Sequence, residues 1–289
     1  MFVAVAHAKL NLTLAVTGRR PDGFHELWSL VVDLELADHL SFIPGGPWSL
    51  TSAEAAMPCD DTNLVLKAAK AFAKYYPQVK AGRFHLDKKV PMGAGLGGGS
   101  ADAAAALRLL NQAEGQPFTV SALEKIAAEV GSDCPYFVAG GKQLMRGRGE
   151  ILESVPPAAA AALAGRRVFL IKPPFGVATP EAYAALAKTQ QYQSIAQARA
   201  AWQAWLQHPT SDPSVLGNDL SGPVFQKHLA LATACERLAR EQGVTFRMTG
   251  SGSACFALVD SAVPLAPIQQ ALQAWWGSGA WVVETRILS

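Results

Sequence analysis

Alternation of apolar and polar residues near the start of the chain predicts a β-strand. Over residues 3–16 alanine, leucine and valine occupy one face, and Lys9 and Asn11 lie two positions apart toward the end of the other face. A Pro-Asp-Gly turn signal follows at 21–23, and residues 27–36 resume a β-rich run. We therefore expect an antiparallel strand pair joined by a tight loop.

Apolar spacing further along the chain predicts a mixture of helices and strands that is less regular than a doubly wound fold. The predicted helices are 63–76, 100–110, 121–131 (with capping-box spacing between Ser121 and Glu124), 180–187, 190–207, 224–242 and 265–276. The predicted strands are 83–90, 167–172, 244–248, 254–259 and 280–286. A change to Pro-Pro and poly-Ala near 154–165 marks a boundary. We expect an α+β fold in two domains, residues 1–153 and 154–289.

Composition and charge exclude several classes of protein. The chain has 289 residues, of which 50% are hydrophobic and 17% charged, so it can form a core and is not disordered. Its net charge of +2 provides no strong field for nucleic acid or an anionic membrane. The four cysteines have neither zinc-site nor disulfide-framework spacing, and we see no signal peptide or membrane span. We expect a cytoplasmic protein with no membrane or nucleic-acid partner.

A glycine-rich loop is the strongest single motif. Residues 93–99 read Gly-Ala-Gly-Leu-Gly-Gly-Gly and lead through Ser100 into the predicted helix, an arrangement that suits a phosphate group. The Lys of a Walker loop is missing. The dinucleotide fingerprint matches at Gly93, Gly95 and Gly98, but the preceding strand is charged and Pro91 follows it. A turn that only packs the helix against the strand remains an alternative.

Three polar residues outside the loop could complete a phosphoryl-transfer site. Lys9 and Asn11 share a strand face and could reach one cleft, although an ordinary solvated face is the alternative. Asp133 follows a helix end, where a capping role is the alternative. A carboxylate can deprotonate a hydroxyl, and an ammonium can keep that carboxylate ionised while it neutralises phosphate charge.

Two further segments are candidates for ligand contacts. Phe24 and His25 could hold a planar base, or could instead be a core residue and a surface residue respectively. Residues 249–253 offer two glycines and three hydroxyls, enough for a second anion contact, although a hairpin turn would need the same residues.

Taken together, three separated segments resemble the GHMP family of small-molecule kinases, which includes galactokinase, homoserine kinase and mevalonate kinase. They are residues 8–12 with 18–27 (Gly-Arg-Arg-Pro-Asp-Gly-Phe-His-Glu-Leu), residues 90–100 and residues 248–252. The order and spacing of the segments also fit, so the resemblance covers essentially the whole chain. The segment at 18–27 is similar to that of the family member acting on a cytidyl diphosphate of methylerythritol.

The resemblance implies a fold and an activity. The fold would be a ribosomal protein S5 domain 2-like N-terminal domain followed by a ferredoxin-like C-terminal domain. The activity would be ATP-dependent phosphorylation of the 2-hydroxyl of cytidyl diphosphate methylerythritol in non-mevalonate isoprenoid biosynthesis. Mg²⁺ would accompany the nucleotide, with no protein ligand assigned to it. The sequence gives no oligomeric state.

The resemblance also implies roles for individual residues. Lys9 and Asp133 would be the catalytic pair, with Asp133 as the base. The ATP-binding residues would be Asn63, Leu64, Lys88, Pro91, Met92, Gly93, Ala94, Gly95, Leu96, Gly97, Gly98, Gly99, Ser100 and Ala101. The substrate-binding residues would be Asn11, Phe24, His25, Thr179, Tyr183, Gly250 and Ser251. The rings at 24 and 183 would sandwich cytosine, and His25 would read its edge.

Two positions depart from the family pattern. Phe24 stands where Tyr is usual, and Ala101 stands where a second Ser is common.

The alternative functions are another GHMP kinase, of the homoserine or mevalonate type, and a nucleotide-binding sensor that does not catalyse. A dinucleotide-dependent reductase is the remaining alternative.

Overall fold

A computed structural model describes residues 1–189, 191–260 and 262–289, without the side chains at 214 and 215. The chain divides into two compact units. The first unit comprises Met1–Lys9, Leu36–Met92 and Gly97–Gly141; the second comprises Leu10–Glu35, Gly93–Leu96 and Lys142–Ser289. The second unit thus includes residues 10–35, 93–96 and 142–153, which lie before the boundary expected at 153/154. That linear division stays a prediction.

The described residues form eleven strands and ten α-helices. The strands are β1 Phe2–Asn11, β2 Ala15–Arg19, β3 His25–Pro44, β4 Ser49–Ser52, β5 Gly82–Asp87, β6 Gln143–Gly147, β7 Ile151–Ser154, β8 Arg167–Lys172, β9 Arg247–Met248, β10 Cys255–Leu258 and β11 Trp281–Arg286. The helices are α1 Leu64–Tyr75, α2 Gly98–Ala113, α3 Val120–Val130, α4 Cys134–Ala139, α5 Pro157–Leu163, α6 Thr179–Thr189, α7 Ile195–Gln207, α8 Ser221–Lys227, α9 Leu229–Gln242 and α10 Ala266–Trp276. Gln190, the first residue of the helix predicted at 190–207, lies outside the described residues.

In the first unit, helices α1 to α4 accompany a small sheet. Strand β5 pairs antiparallel with the end of β3 and parallel with β4, and its residues alternate between buried and exposed. Helix α2 packs against α1, α3 and α4, and its stretch 103–107 is buried throughout. Small alanine side chains on several faces let α2 lie centrally among its neighbours.

The second unit contains a ferredoxin-like arrangement. Strands β8 to β11 form an antiparallel sheet in the order β11-β8-β10-β9. Helices α6 to α9 connect β8 to β9, and α10 connects β10 to β11, which gives the β-α-β-β-α-β pattern expected for this half of the chain. A buried core includes Phe169, Ile171, Leu238 and Leu272. The α+β fold class predicted from the sequence is confirmed.

The strand predicted at 3–16 is interrupted. β1 ends at Asn11 and β2 begins at Ala15. Between them the Thr13 carbonyl accepts a hydrogen bond from the Ser29 hydroxyl at 2.5 Å, and Leu14 donates its amide hydrogen to Gly217 at 3.0 Å. Side chains and a distant loop thus satisfy backbone groups that an unbroken strand ladder would have paired.

Two other predictions need correction, and several elements were not predicted. The helix predicted at 224–242 is two helices, α8 and α9, which meet at His228, whose ring stacks on Phe175 with 5.2 Å between centroids. Helix α3 begins at Val120, close to the predicted start, but its cap is Thr119, whose hydroxyl accepts the amide hydrogen of Ala122, so the capping box predicted at Ser121 and Glu124 is wrong. Strands β4, β6 and β7 and helices α4 and α5 were not predicted. Among the described helices, none combines the length and apolar character that a membrane crossing requires.

Candidate active site

Lys9 and Asp133 lie together in the first unit. Lys9 is near the end of β1, Asp133 immediately precedes α4, and the Lys9 Nζ and Asp133 Oδ2 atoms are 3.8 Å apart. The Lys9 side chain is 8% exposed and that of Asp133 is 39% exposed. Burial lowers the pKa of Lys9, and the negative charge of Asp133 opposes that shift. The pair therefore combines a shielded cation with an accessible carboxylate.

Both alternatives for these residues are contradicted. Lys9 and Asn11 are buried, so they do not lie on a solvated strand face. Asp133 occupies the residue before α4, but within the described structure its side chain makes no capping hydrogen bond to that helix. The local backbone therefore leaves the Asp133 carboxylate available for another partner.

The glycine loop leads directly into α2. Gly93, Gly95 and Gly97 have φ angles of +64°, +79° and +71°, a left-handed conformation that favours glycine. In the first unit, a Cβ on Gly97 would come within 2.5 Å of Phe137 Cζ and 2.9 Å of Lys9 Cγ. Position 97 therefore lies too close to the Phe137 and Lys9 side chains to accommodate a residue larger than glycine without a shift of its neighbours.

The N-terminus of α2 has the features of an anion site. Gly97 is its N-cap and, among the described residues, no side chain caps it. Amide hydrogens in the first turn of a helix have no partner within the helix, and the helix dipole adds positive potential there. Gly98, Gly99 and Ser100 supply such amides. The second-unit part of the loop is tied down separately, because the Ala254 amide donates to the Ala94 carbonyl at 3.0 Å.

Lys88 lies in a buried ion cluster within the first unit. Its Nζ is 2.5 Å from Asp38 Oδ2 and 2.9 Å from Asp102 Oδ2, and all three side chains are almost fully buried. The other Asp38 oxygen accepts the amide hydrogens of Lys89 and Val90. Burial would lower the pKa of Lys88, but the charges of Asp102 and Asp38 outweigh it and raise that pKa. The adenine contact expected of Lys88 stays a prediction.

The other ATP-loop candidates of the first unit surround α1 and α2. The Asn63 side chain accepts the amide hydrogen of Val65 and so caps α1, while its amide group donates to the Pro58 carbonyl. Leu64 begins α1, and its Cδ1 is 3.6 Å from a Cβ built on Gly99. Pro91 is partly buried, Met92 is exposed and Ala101 is buried in α2. Leu64 therefore lies beside the first turn of α2.

Polar candidates of the second unit form a connected group. Asn11 donates its side-chain amide to Ser29 Oγ at 2.8 Å, and its backbone amide donates to Thr249 Oγ1 at 2.9 Å. The hydroxyls of Thr179 and Ser251 are 2.8 Å apart. The side-chain amide of Asn218 donates to the Gly250 carbonyl at 2.8 Å. The loop at 249–253 is thus held by the backbone amide of Asn11, the hydroxyl of Thr179 and the side chain of Asn218.

Two aromatic candidates of the second unit contact one another, and the predicted cytosine sandwich between positions 24 and 183 stays a prediction. The His25 ring stacks directly on Tyr183, with centroids 4.9 Å apart and planes inclined by 29°. Tyr192 adds a third ring, its hydroxyl 3.5 Å from His25 Nε2. Phe24 is exposed and lies under the Arg148 guanidinium at 4.9 Å. Burial and then the charge of Arg19 lower the pKa of His25.

Comparisons with known proteins identify the family. Models of the GHMP kinase N-terminal domain and C-terminal domain match residues 63–141 and 211–278. A relative from Synechococcus sp. strain CC9605, named 4-diphosphocytidyl-2-C-methyl-D-erythritol kinase, is 41% identical over 272 residues, covering 89% of this chain and 87% of its own. The chain belongs to the GHMP kinase family. The resemblance predicted from its motifs is confirmed.

Further GHMP kinases support the same placement. A relative of the same name from Rhodopseudomonas palustris strain BisA53 is 39% identical over 290 residues, with 94% of each chain covered. A crystal structure of 4-(cytidine 5'-diphospho)-2C-methyl-D-erythritol kinase superposes with a TM-score of 0.77 at 31% identity, covering 99% of both chains. Methanococcus jannaschii mevalonate kinase shares the fold, with a TM-score of 0.75 at 10% identity, 100% of this chain and 98% of its own being covered.

Family membership excludes one alternative for the glycine loop. As a GHMP kinase the chain is an ATP-dependent small-molecule kinase. The dinucleotide match at Gly93, Gly95 and Gly98 is therefore a coincidence of spacing, and the reductase alternative is wrong. That this loop holds the ATP phosphates, and is more than a packing turn, stays a prediction.

Sequence reasoning missed three residues that contact the predicted ones. Asp102 was overlooked, although it interrupts the otherwise apolar stretch 101–107 in α2. A carboxylate in such a stretch needs a partner, and that signal could have paired Asp102 with a cation. Asp38 has no comparable signal, because residues 30–40 of β3 also contain Asp33, Glu35 and His39. No sequence signal links Tyr192 to His25, because their contact depends on residues 167 positions apart.

Proposed function

We propose that this GHMP kinase transfers the γ-phosphate of ATP to the 2-hydroxyl of 4-diphosphocytidyl-2-C-methyl-D-erythritol, a step of non-mevalonate isoprenoid biosynthesis. The observation that carries the chemistry is the 3.8 Å pair of Lys9 and Asp133 beside the glycine loop. The substrate is supported by the names of relatives that match along most of their length. Homoserine and mevalonate kinases share the fold at 21% identity or less. Identity that low gives no support for homoserine or mevalonate as the substrate of this chain.

In the proposed reaction Asp133 accepts the proton of the 2-hydroxyl. That oxygen forms a bond to the γ-phosphorus, the bond between the γ-phosphorus and the bridging oxygen to the β-phosphate breaks, and ADP leaves. Lys9 remains protonated, keeps the carboxylate ionised and offsets charge on the transferring phosphoryl group. The amides of Gly98, Gly99 and Ser100 hold phosphate oxygens.

Magnesium fits this proposal as a companion of the nucleotide. In the described part of the chain no three acidic, histidine or cysteine side chains form a group that could hold a metal ion. We infer that Mg²⁺ is held mainly by the ATP phosphates, whose charge it neutralises when bound. We further place the enzyme in the cytoplasm, in agreement with four free cysteines.

For the cytidyl substrate, we propose that the second unit supplies recognition. The stacked pair of His25 and Tyr183 leaves no space for a base between the two rings, so cytosine would stack on an outer face of the pair or beside Phe24. Asn11, Thr179, Gly250 and Ser251 would position the polar part of the substrate. The sandwich between positions 24 and 183 that the family resemblance implied remains possible only on the face of Tyr183 that His25 does not cover.

Coupled ADP release tests the substrate assignment. Purified protein, ATP and Mg²⁺ are combined in parallel with the cytidyl substrate, homoserine or mevalonate. We expect ADP only with the first. ADP release with homoserine or mevalonate alone would identify another kinase activity, and tight ATP binding without release in any reaction would identify a sensor.

The Asp133→Asn substitution tests the base. It retains the size of the side chain and removes the proton acceptor, so kcat should fall about 10²- to 10⁴-fold while the ATP Kd stays within about twofold. Asp61→Asn is the matched control, because Asp61 is an exposed carboxylate of the same unit paired with Lys70. If kcat of Asp133→Asn equals that of the control, the base is another group.

A further inference from the structure

The Lys88 cluster has one more carboxyl than it has cations. Asp38 and Asp102 both contact the single ammonium of Lys88, at 2.5 and 2.9 Å, and the three side chains are between 0% and 6% exposed. With both carboxyls ionised the cluster carries a net charge of −1 in a buried site. Buried charge of this kind is costly unless it is neutralised or fully hydrogen-bonded.

Other elements around Asp102 bring no further cation. Helix α4 contains no charged residue. The three lysines of α1 are exposed; Lys70 pairs with Asp61 and Lys74 with Glu129. The charged residues of α3 are Glu124, Lys125 and Glu129, none of them buried. Asp38 from β3 and Lys88 beyond β5 are thus the charged groups that act on Asp102.

Asp102 is also incompletely hydrogen-bonded. Its Oδ2 accepts from Lys88, whereas its Oδ1 is buried without a partner in the part of the chain that the structure describes. Asp38, by contrast, uses both oxygens, accepting from Lys88 and from two backbone amides. Asp102 is therefore the carboxyl on which a proton removes most of the electrostatic cost. Burial and then the Asp38 charge, opposed by Lys88, raise the pKa of Asp102 to about 7.

The cluster lies directly behind the amides that we assign to the ATP phosphates. Asp102 is the fifth residue of α2, so its backbone is about 6 Å along the helix axis from Gly98. Lys88 Nζ is 3.1 Å from a Cβ built on Gly98. An anion bound at this helix end would interact with the cluster through buried protein, where screening by solvent is weak.

We propose that the Asp38, Lys88 and Asp102 cluster is a proton-linked counter-charge for the nucleotide, in which Asp102 takes up one proton from solvent when phosphates bind at the start of α2. The inference rests on the proposed nucleotide site. The only bond formed is O–H on the Asp102 carboxyl, and the cluster changes from −1 to neutral. Nucleotide affinity should consequently fall as the pH rises above about 7, by at most about tenfold per pH unit for a single linked proton.

Calorimetric titration with Mg·ADP at pH 7.5, repeated in buffers of different ionisation enthalpy, measures the protons taken up per nucleotide. We expect uptake by the wild type to exceed uptake by Asp102→Asn by a measurable fraction of one proton. Proton changes on the nucleotide itself are common to both proteins and cancel in the difference. Asp87→Asn removes an exposed carboxylate one residue from Lys88 and should retain the wild-type value.

Asp38→Asn provides a second variant should Asp102→Asn fail to fold. It leaves one ammonium and one carboxylate, so Asp102 should stay ionised and the additional uptake should again disappear. Equal uptake in the wild type and in whichever variant folds, or no uptake by the wild type across pH 6.5 to 8.5, overturns the inference. Failure of the wild type to bind Mg·ADP would instead overturn the proposed nucleotide site.

Discussion

Lys9 and Asp133 carry opposite charges and differ in their exposure to solvent. The Lys9 ammonium is shielded and its stem passes beside Gly97, where a Cβ would approach Lys9 Cγ to 2.9 Å. The side chain of Asp133, the residue before α4, is exposed to solvent. An arginine at position 9 would need more space beside Gly97 and would present a planar fork instead of a point charge. The pair therefore depends on lysine specifically.

At His25 the neighbouring Tyr192 hydroxyl offers a test of substrate recognition. Burial lowers the pKa of His25, so the ring is neutral at neutral pH and has one N–H and one acceptor nitrogen. The Tyr192 hydroxyl, 3.5 Å from Nε2, biases which nitrogen carries the proton. In Tyr192→Phe we expect the KM for the cytidyl substrate to rise about three- to tenfold, a loss of about 1 kcal/mol, with kcat nearly unchanged.

Steady-state kinetics with each substrate varied in turn measure this effect. The KM for ATP should not change in Tyr192→Phe. Tyr75→Phe is a control, since Tyr75 is an exposed tyrosine that bonds Glu129 in the first unit. Equal KM values for both variants would show that Tyr192 does not act through His25.

At the scale of elements, the junction of loop and helix at Gly97 and Gly98 can be tested with two glycines. Gly97 has a φ of +71° and no space for a Cβ, whereas Gly99 is within α2 and its nearest neighbour would be 3.6 Å away. Gly97→Ala should lower the free energy of unfolding by about 1–3 kcal/mol, because it combines backbone strain with a clash against Phe137.

Gly99→Ala should leave the free energy of unfolding unchanged or raise it by up to about 1 kcal/mol, since alanine is the better helix former. Urea unfolding of both variants provides the measurement. Equal stability of the two variants would mean that the loop relaxes around Gly97 without strain. The comparison of the two variants separates the loss of stability caused by strain in the loop from the gain in stability caused by better helix propensity.

Some elements could be predicted from sequence and others could not. The helix at 98–113 and the strands at 167–172 and 281–286 have strong local periodicity or composition, so the sequence predicts them closely. Strands β6 and β7 have little of either, and they are stabilised by pairing with β3 and with each other. The burial of Lys9 and the cluster around Lys88 depend on partners far along the chain, which no local pattern specifies.

For the molecule as a whole, the net charge of +2 is small compared with the charge of the proposed ligands. ATP and a cytidyl diphosphate are both strongly anionic. The proposed sites offset the negative charge of these ligands with uncapped amides at the start of α2 and the ammonium of Lys9, so they do not need a positive protein surface. The charge balance therefore argues against long-range attraction of nucleic acid without arguing against small phosphorylated ligands.

The pH dependence of folding stability should also depend on Asp102. Its pKa is about 7 in the folded protein and near the ordinary 3.8 in the unfolded chain, so between pH 4 and 7 the folded state holds a proton that the unfolded state has lost. The stabilising contribution of that proton is fully present below about pH 4 and is lost as the pH rises through about 7. Urea midpoints measured across pH 4 to 8 should show that the wild type loses stability relative to Asp102→Asn as the pH rises to 7. Above pH 7 the difference in stability between the two proteins should stay constant. The control variant Asp87→Asn should follow the same pH dependence as the wild type. Parallel curves for the wild type and Asp102→Asn would mean that Asp102 is ionised throughout this range.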